Sequence, residues 1–168
     1  MELADLQFEI LTQELKRRLL EESIPRILKC LDYLSENEIW QSPNTNSNSI
    51  GNLVLHLEGN ATQWFIAPFQ GLPDKRNRRL EFLPQQHIPK EVLCEKLNQL
   101  SKKITTTIQQ LNKEKLVENY TVQGFQENGL SMVIHVIEHF SYHVGQITYQ
   151  TKALKNIDLG YYSGVDLE

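Results

Sequence analysis

The sequence has few of the residues that cross-link chains or span membranes. It contains two cysteines, Cys30 and Cys94, each beside leucines in a helical pattern, so we expect buried small side chains rather than a disulfide framework. No segment approaches the roughly 18 apolar residues of a membrane span. The first ten residues show neither the basic start nor the apolar stretch of a secretory signal. We therefore expect a cytoplasmic protein that does not enter a membrane.

The sequence also lacks an excess of basic over acidic residues. The chain has 17 lysines and arginines against 21 acidic residues, a formal charge of −4 and a pI near 5.8. The only basic cluster, residues 76–79, is short, whereas nucleic-acid binding requires a basic face. We expect no nucleic-acid partner. With 168 residues, 40% of them hydrophobic, the composition predicts one globular domain over residues 1–168.

The long periodic segments are helical. Residues 3–35 carry apolar side chains at helical spacing, interrupted at Pro25, which predicts a kink or two consecutive helices with Ser23 as a cap. A loop rich in turn formers follows and leads into a second important helix at about 49–70.

The second half of the chain continues this pattern. Residues 71–88 form a long connection, and Pro89 suits the first position of a third long helix. Residues 117–127 look like a loop or short extended segment, after which Asn128 or Ser131 begins the last helix. No convincing pair of alternating strands is found. The sequence thus predicts an all-α fold, a four-helix bundle with a long crossover between the second and third helices.

Three of the five histidines lie in the last helix, over residues 132–150. His135, His139 and His143 follow one another at i+4, so adjacent pairs can point at one cation. All three cannot, because the rise from first to last is about 12 Å and metal–nitrogen bonds are about 2 Å. The apolar sector of the helix reaches His143 first and His135 last. We therefore predict His139 and His143 as the ligand pair, with Gln146 able to orient a ligand ring.

The second helix contributes one more histidine. His56 shares its side with Leu53 and Trp64, and such a histidine, taken alone, is more often a core residue than a ligand. Asn60 lies one turn further along the same strip, where its amide could support His56 with a hydrogen bond. Glu58 points away from His56, which argues against a role as catalytic base.

Together His56, His139 and His143 predict a metal site. Buried imidazoles need partners, and a shared cation explains three of them economically. A site with three imidazoles keeps coordination positions open, as catalytic metal sites do, and imidazole suits Zn, Ni, Fe or Cu without choosing among them. His135 is predicted to stay outside the ligand set, and His87 to lie on the surface.

Three stretches carry a resemblance to known proteins: SNSIGNLVLHLEGNATQWF, RNRRLEF and HVIEHFSYHVGQI. They resemble the DinB-like superfamily of metal-dependent four-helix-bundle proteins, and the similarity spans nearly the whole chain. The resemblance implies a bundle with a long crossover, frequent homodimers, and a metal held by His56, His139 and His143. Arg78 and Glu81 match an R-x-x-E-F element of the crossover, to which we assign no role from the sequence.

Some members of that superfamily are thiol S-transferases, and related domains isomerise maleylpyruvate with mycothiol. The resemblance implies no DNA binding. Three function classes stay open at this point: a transferase that adds a low-molecular-weight thiol to an electrophile, a metal-dependent hydrolase using bound water, and a non-catalytic metal-binding stress-response module. Glu138 points toward solvent, so no obvious acid or base stands beside the ligands, which favours thiol transfer modestly over hydrolysis.

Overall fold

The computed structural model describes residues 2–83 and 88–166, and over these residues it is mostly helical with one two-stranded sheet. The elements in chain order are α1 (Leu3–Lys16), a π-helical segment (Arg17–Ser23), α2 (Ile24–Tyr33), α3 (Glu36–Trp40), α4 (Ile50–Ala61), a second π-helical segment (Thr62–Ile66), α5 (Ala67–Gln70), a 3₁₀ turn (Arg78–Phe82), α6 (Lys90–Gln109), α7 (Lys113–Val117), β1 (Asn119–Val122), β2 (Phe125–Asn128) and α8 (Gly129–Lys155).

The first helical arm runs through α1, the π-helical segment and α2. Pro25 lies in the first turn of α2, where its missing N–H would have no partner inside that helix. The predicted interruption is therefore present as a π-helical segment just before the proline. The predicted cap at Ser23 is wrong, because its backbone is helical and its side chain makes no capping hydrogen bond.

The predicted second helix is formed by α4, the second π-helical segment and α5. Its start is capped by Ser49, whose side chain accepts a hydrogen bond from the backbone N–H of Asn52. It ends at Gly71, which has a positive φ of 66°, a conformation that glycine adopts without steric cost. The crossover then leads to α6, where Pro89 is the residue before the helix rather than its first residue.

A β-hairpin precedes α8, so the expectation of no strand pair is wrong. Strands β1 and β2 pair antiparallel, and the turn between them consists of Gln123 and Gly124, both with positive φ. Asn128 ends β2 and caps α8 by accepting a hydrogen bond from the backbone N–H of Ser131. Of the two predicted starts of the last helix, Asn128 is therefore the cap.

The long helices enclose one apolar cluster. Helix α2 packs against α6 and α8, and α4 packs against the same two helices. The cluster runs from Leu15 to Leu159 and includes the buried rings of Phe65, Phe69 and Phe140. Cys30 is buried within it, whereas Cys94 is only partly buried. Among residues 2–83 and 88–166, no helix has both the length and the apolar character that crossing a bilayer requires.

Candidate metal centre

The contact between α4 and α8 brings three histidines together. His56 comes from α4, and His139 and His143 come from α8, one helical turn apart. One side-chain nitrogen from each lies within 4.8 Å of the others. His56 and His143 are 6% and 8% exposed, and His139 is partly buried. The three residues predicted from the sequence are thus neighbours in space.

The ring positions suit a shared cation. Nε2 of His139 lies 3.0 Å from Nε2 of His56, close to the separation of about 3.4 Å between two nitrogens on one tetrahedral zinc ion. The ring centroid of His143 lies 4.5 Å from that of His139 and 5.1 Å from that of His56. Nδ1 of His143 is 2.7 Å from Oε1 of Gln146, and an amide oxygen only accepts, so this nitrogen donates and Nε2 keeps its lone pair.

A carboxylate fixes the ring of His56. Nδ1 of His56 lies 2.8 Å from Oε2 of Glu81 and 3.0 Å from Nη2 of Arg76. An arginine can only donate, so the two neighbours require opposite tautomers. We assign the Nδ1 proton to the bond with Glu81, because that contact is shorter and because Nη2 of Arg76 has its own acceptor in Glu81 at 2.9 Å. Nε2 of His56 is then free to bind a cation, the arrangement found in carboxylate–histidine–metal triads.

Arg76 holds Glu81 in its ionised form. Nε of Arg76 donates to Oε1 of Glu81 at 2.6 Å, and the two side chains are 4% and 9% exposed. Burial raises the pKa of Glu81, but hydrogen bonds from Arg76 and His56 outweigh it and place this pKa below its ordinary value. Nη1 of Arg76 donates to Oε1 of Gln63 at 2.8 Å. The pair is therefore a buried, hydrogen-bonded support for the ring of His56.

Gly59 allows this support to reach α4. A Cβ on Gly59 would overlap the Oε1 atom of Glu81 and lie 2.9 Å from Nε of Arg76. Any side chain at this position would push the carboxylate away from His56. The glycine thus provides the space in which the crossover contacts the helix.

Arg76 contacts the candidate site but was not predicted from the sequence. The motif of the crossover pointed to Arg78 and Glu81, and only Glu81 contacts a predicted ligand. The guanidinium of Arg78 lies 5.1 Å above the ring of Phe82, and that ring is 5.1 Å from His56. Arg78 therefore packs on Phe82, a neighbour of His56, while Arg76 makes the hydrogen bonds to Glu81. The basic cluster at residues 76–79 was the only available signal.

His135 lies beside the three histidines and makes different contacts. Its ring stacks on Trp64 at a centroid distance of 4.0 Å and an interplanar angle of 25°. Nε2 of His135 is 3.2 Å from Nδ2 of Asn60, so the expectation that Asn60 supports His56 is wrong. The reason is that the stack with Trp64 turns His135 toward the amide, while Glu81 already occupies Nδ1 of His56.

The two other glutamates considered from the sequence point elsewhere. Glu58 accepts a hydrogen bond from Lys96 at 3.0 Å, and Glu138 is exposed. His87, which we predicted to be a surface residue, lies outside the described residues.

Burial keeps the imidazoles of α8 neutral. It lowers the pKa of His139, and the neighbouring His143, His56, His135 and Arg76 lower it further, to about 3. Burial also lowers the pKa of His143 and of His135 below their ordinary values. Neutral imidazole is the form that binds metals, so the site is ready for a cation at neutral pH.

The same shift predicts how the stability of the metal-free protein depends on pH. The pKa of His139 is lower in the folded state, so between pH 6.5 and about 3 the unfolded chain binds the extra proton. The contribution of His139 to the free energy of unfolding is therefore fully present above pH 6.5 and decreases as the pH falls. Because His139 is partly exposed, we expect its share between pH 7 and pH 5 to be only about 1 kcal/mol.

Urea unfolding with a chelator at both pH values would measure this. We expect the His139→Gln variant to lose less stability than the wild type over this interval. Equal losses in the two proteins would contradict the assignment.

Curated protein sequences contain no match to the chain. A family model described as a protein of unknown function, DUF1572, matches residues 11–163. The match includes α4, the crossover and α8, and hence every residue of the candidate metal centre. Because the match covers most of the 168 residues of the chain, the chain belongs to the DUF1572 family.

Proposed function

We propose that the protein binds one divalent transition metal, Zn, Ni or Fe, through His56, His139 and His143, and transfers a low-molecular-weight thiol to an electrophile. The observation that carries this proposal is the convergence of three imidazoles, two of them with Nδ1 hydrogen-bonded to Glu81 and Gln146. Such outer contacts orient ligand rings and raise their basicity. Three protein ligands leave positions for a small molecule, as in catalytic metal sites.

We also propose that residues 1–168 form one DinB-like four-helix bundle in the cytoplasm. Support comes from the packing of α2 and α4 against both α6 and α8, which closes a ring of four helical arms. A single apolar cluster extends from Leu15 to Leu159. Further support comes from the 3₁₀ turn of the crossover, which contacts α4 and contains Glu81, the hydrogen-bond partner of His56.

The transfer needs little from the protein besides positioning. A bound cation lowers the pKa of a thiol that reaches it. The thiol proton goes to solvent, the sulfur electron pair forms a bond to the electrophilic atom, and the leaving group departs with its own bonding pair. The ring of Phe82 lies 5.1 Å from that of His56, and Trp64 stacks on His135 at 4.0 Å, so the surroundings of the three histidines are partly apolar.

The contacts of the nearby carboxylates favour this reaction over hydrolysis. A metal-dependent hydrolase uses a base to direct water. Glu81 is engaged by Arg76 and His56, Glu58 by Lys96, and Glu138 is exposed. A hydrolase and a non-catalytic metal-binding module are the alternatives that the following experiment separates.

The test uses protein purified without an affinity tag. Elemental analysis should find about one transition metal per chain, and turnover of a generic aryl halide should depend on an added thiol and disappear after chelation. Thiol-independent hydrolysis of ester or amide substrates would favour the hydrolase. Bound metal without turnover by any of several thiols would favour the module. Absence of stoichiometric metal would overturn the proposal.

We further propose a homodimer. Large apolar side chains are exposed on several helices, including Leu3 (70%) and Ile10 (52%) of α1 and Ile134 (53%) of α8. Burying such side chains between two copies would remove them from water. Sedimentation at micromolar concentration should show a species of twice the chain mass of 19.6 kDa. A species of 19.6 kDa would refute the dimer.

A further inference from the structure

Asn60 carries a buried polar atom that the fold leaves without a partner. Its side chain is 3% exposed, and among the described residues Oδ1 makes no hydrogen bond. Nδ2 of the same amide is 3.2 Å from Nε2 of His135. Buried amide oxygens nearly always have a partner in native proteins. An unpaired one therefore indicates a group that the isolated chain does not supply.

The position of Asn60 shows where this group belongs. Asn60 follows His56 by one turn on α4, and His135 precedes His139 by one turn on α8. The Asn60–His135 pair thus lies next to the three histidines, at the end nearer the start of α8. The side of His143 is occupied by Gln146.

The pair is held in place by aromatic contacts. The ring of His135 lies between Trp64, at 4.0 Å, and His139, at 5.3 Å with an interplanar angle of 19°. The indole of Trp64 is fixed in turn by a hydrogen bond of 2.9 Å from Nε1 to Oε1 of Gln123 in the hairpin turn. A hydrogen-bonding pair whose imidazole is held by stacking, next to the three histidines, is suited to orienting a small ligand.

We propose that Asn60 is a positioning residue whose amide hydrogen-bonds to the sulfur of a small thiol bound beside His56, His139 and His143. This inference rests on the proposed function. His135 makes the arrangement adaptable, because neutral imidazole can donate or accept at Nε2. With Nδ2 of Asn60 bonded to His135, Oδ1 accepts from a protic group such as water. When the amide turns over, Oδ1 accepts from Nε2–H of His135 and Nδ2 donates to an anionic sulfur.

The test uses the Co²⁺-loaded full chain titrated with 2-mercaptoethanol, with the near-ultraviolet sulfur-to-cobalt absorption as the readout. In Asn60→Ala we expect the affinity for Co²⁺ to stay within threefold of wild type and the affinity for the thiol to fall at least tenfold. Asn60→Asp, which keeps the shape but offers no N–H, should bind the thiol at least as weakly as Asn60→Ala.

Two variants of His135 complete the test. His135→Gln can still donate or accept and should keep thiol affinity within threefold, whereas His135→Phe keeps a ring against Trp64 without the hydrogen bond and should weaken thiol binding. His135→Phe also serves as the deciding variant if Asn60→Ala fails to fold.

The outcomes distinguish this inference from the proposal on which it depends. Failure of wild type to bind Co²⁺ would overturn the metal centre itself. Normal Co²⁺ binding with unchanged thiol affinity in Asn60→Ala would overturn only the role of Asn60. A tenfold loss of Co²⁺ affinity in Asn60→Ala would also overturn that role, because Asn60 would then act on the cation or on the fold.

Discussion

Replacing His139 or His143 by alanine should abolish stoichiometric metal binding, while replacing His56 should weaken it strongly. The two residues of α8 are one turn apart and provide ligands with a fixed relative geometry. Losing either leaves two imidazoles on different helices, which seldom hold a transition metal without further ligands. His56 is joined to the pair across the helix contact, with 3.0 Å between its Nε2 and that of His139.

Equilibrium dialysis with elemental analysis would measure these changes, and His135→Ala is the matched control from the same helix. We expect His135→Ala to retain most of the metal, since Nε2 of His135 contacts Asn60. Loss of binding in His135→Ala together with retention in His143→Ala would show that the ligand pair is wrongly chosen. Full retention in His56→Ala would remove α4 from the site.

Replacing Arg76 by methionine should lower the free energy of unfolding by about 3–5 kcal/mol, the usual cost of removing one partner from a buried ion pair. The substitution keeps much of the side-chain volume but leaves the carboxylate of Glu81, 7% exposed, without its strongest donors. Urea unfolding of the metal-free protein would measure the change.

The double variant Arg76→Met with Glu81→Gln is the matched control. We expect it to recover a large part of the lost stability, because no buried charge is left unpaired. The single variant Glu81→Gln should bind metal about 10–100-fold more weakly, since the ring of His56 loses its carboxylate partner. A loss below 1 kcal/mol in Arg76→Met would mean that solvent or other side chains replace the guanidinium.

The three neighbouring histidines could be predicted from the sequence because helical geometry fixes the relative positions of two of them. Spacing of i+4 puts His139 and His143 on one face, and the apolar sector of the helix shows which pair faces the interior. Their meeting with His56 required only that two amphipathic helices pack by their apolar sides. That the three bind a metal stays a prediction, whereas their proximity is present in the structure.

The supports of the site could not be placed in the same way. Arg76 and Glu81 lie in the crossover, where no periodicity relates a residue to the helix it will contact. The bond between Glu81 and His56, and the pairing of Arg76 with Glu81, are therefore visible only in three dimensions. A helical wheel gives the direction of Asn60 around the axis of α4. It does not show which side chain of the neighbouring helix Asn60 will contact.

The hairpin could not be predicted from the sequence pattern for a different reason. Each strand has only four residues, too few for alternation to be distinguished from chance. The turn contains Gln123 and Gly124 in place of the Asn-Gly or Asp-Gly pairs that signal such turns in a sequence. The same Gln123 then contributes to the surroundings of the site through its bond to Trp64.

Gly59 on α4 has a consequence for sequence divergence within the family. Because a Cβ at Gly59 would overlap the carboxylate of Glu81, a side chain at Gly59 requires a change or a displacement of the residue 22 positions later in the chain. A relative with alanine in place of Gly59 should also lack the Arg76–Glu81 pair and should orient its equivalent of His56 by another contact. The absence of one methyl group thus links the evolution of a helix to that of the loop that crosses it.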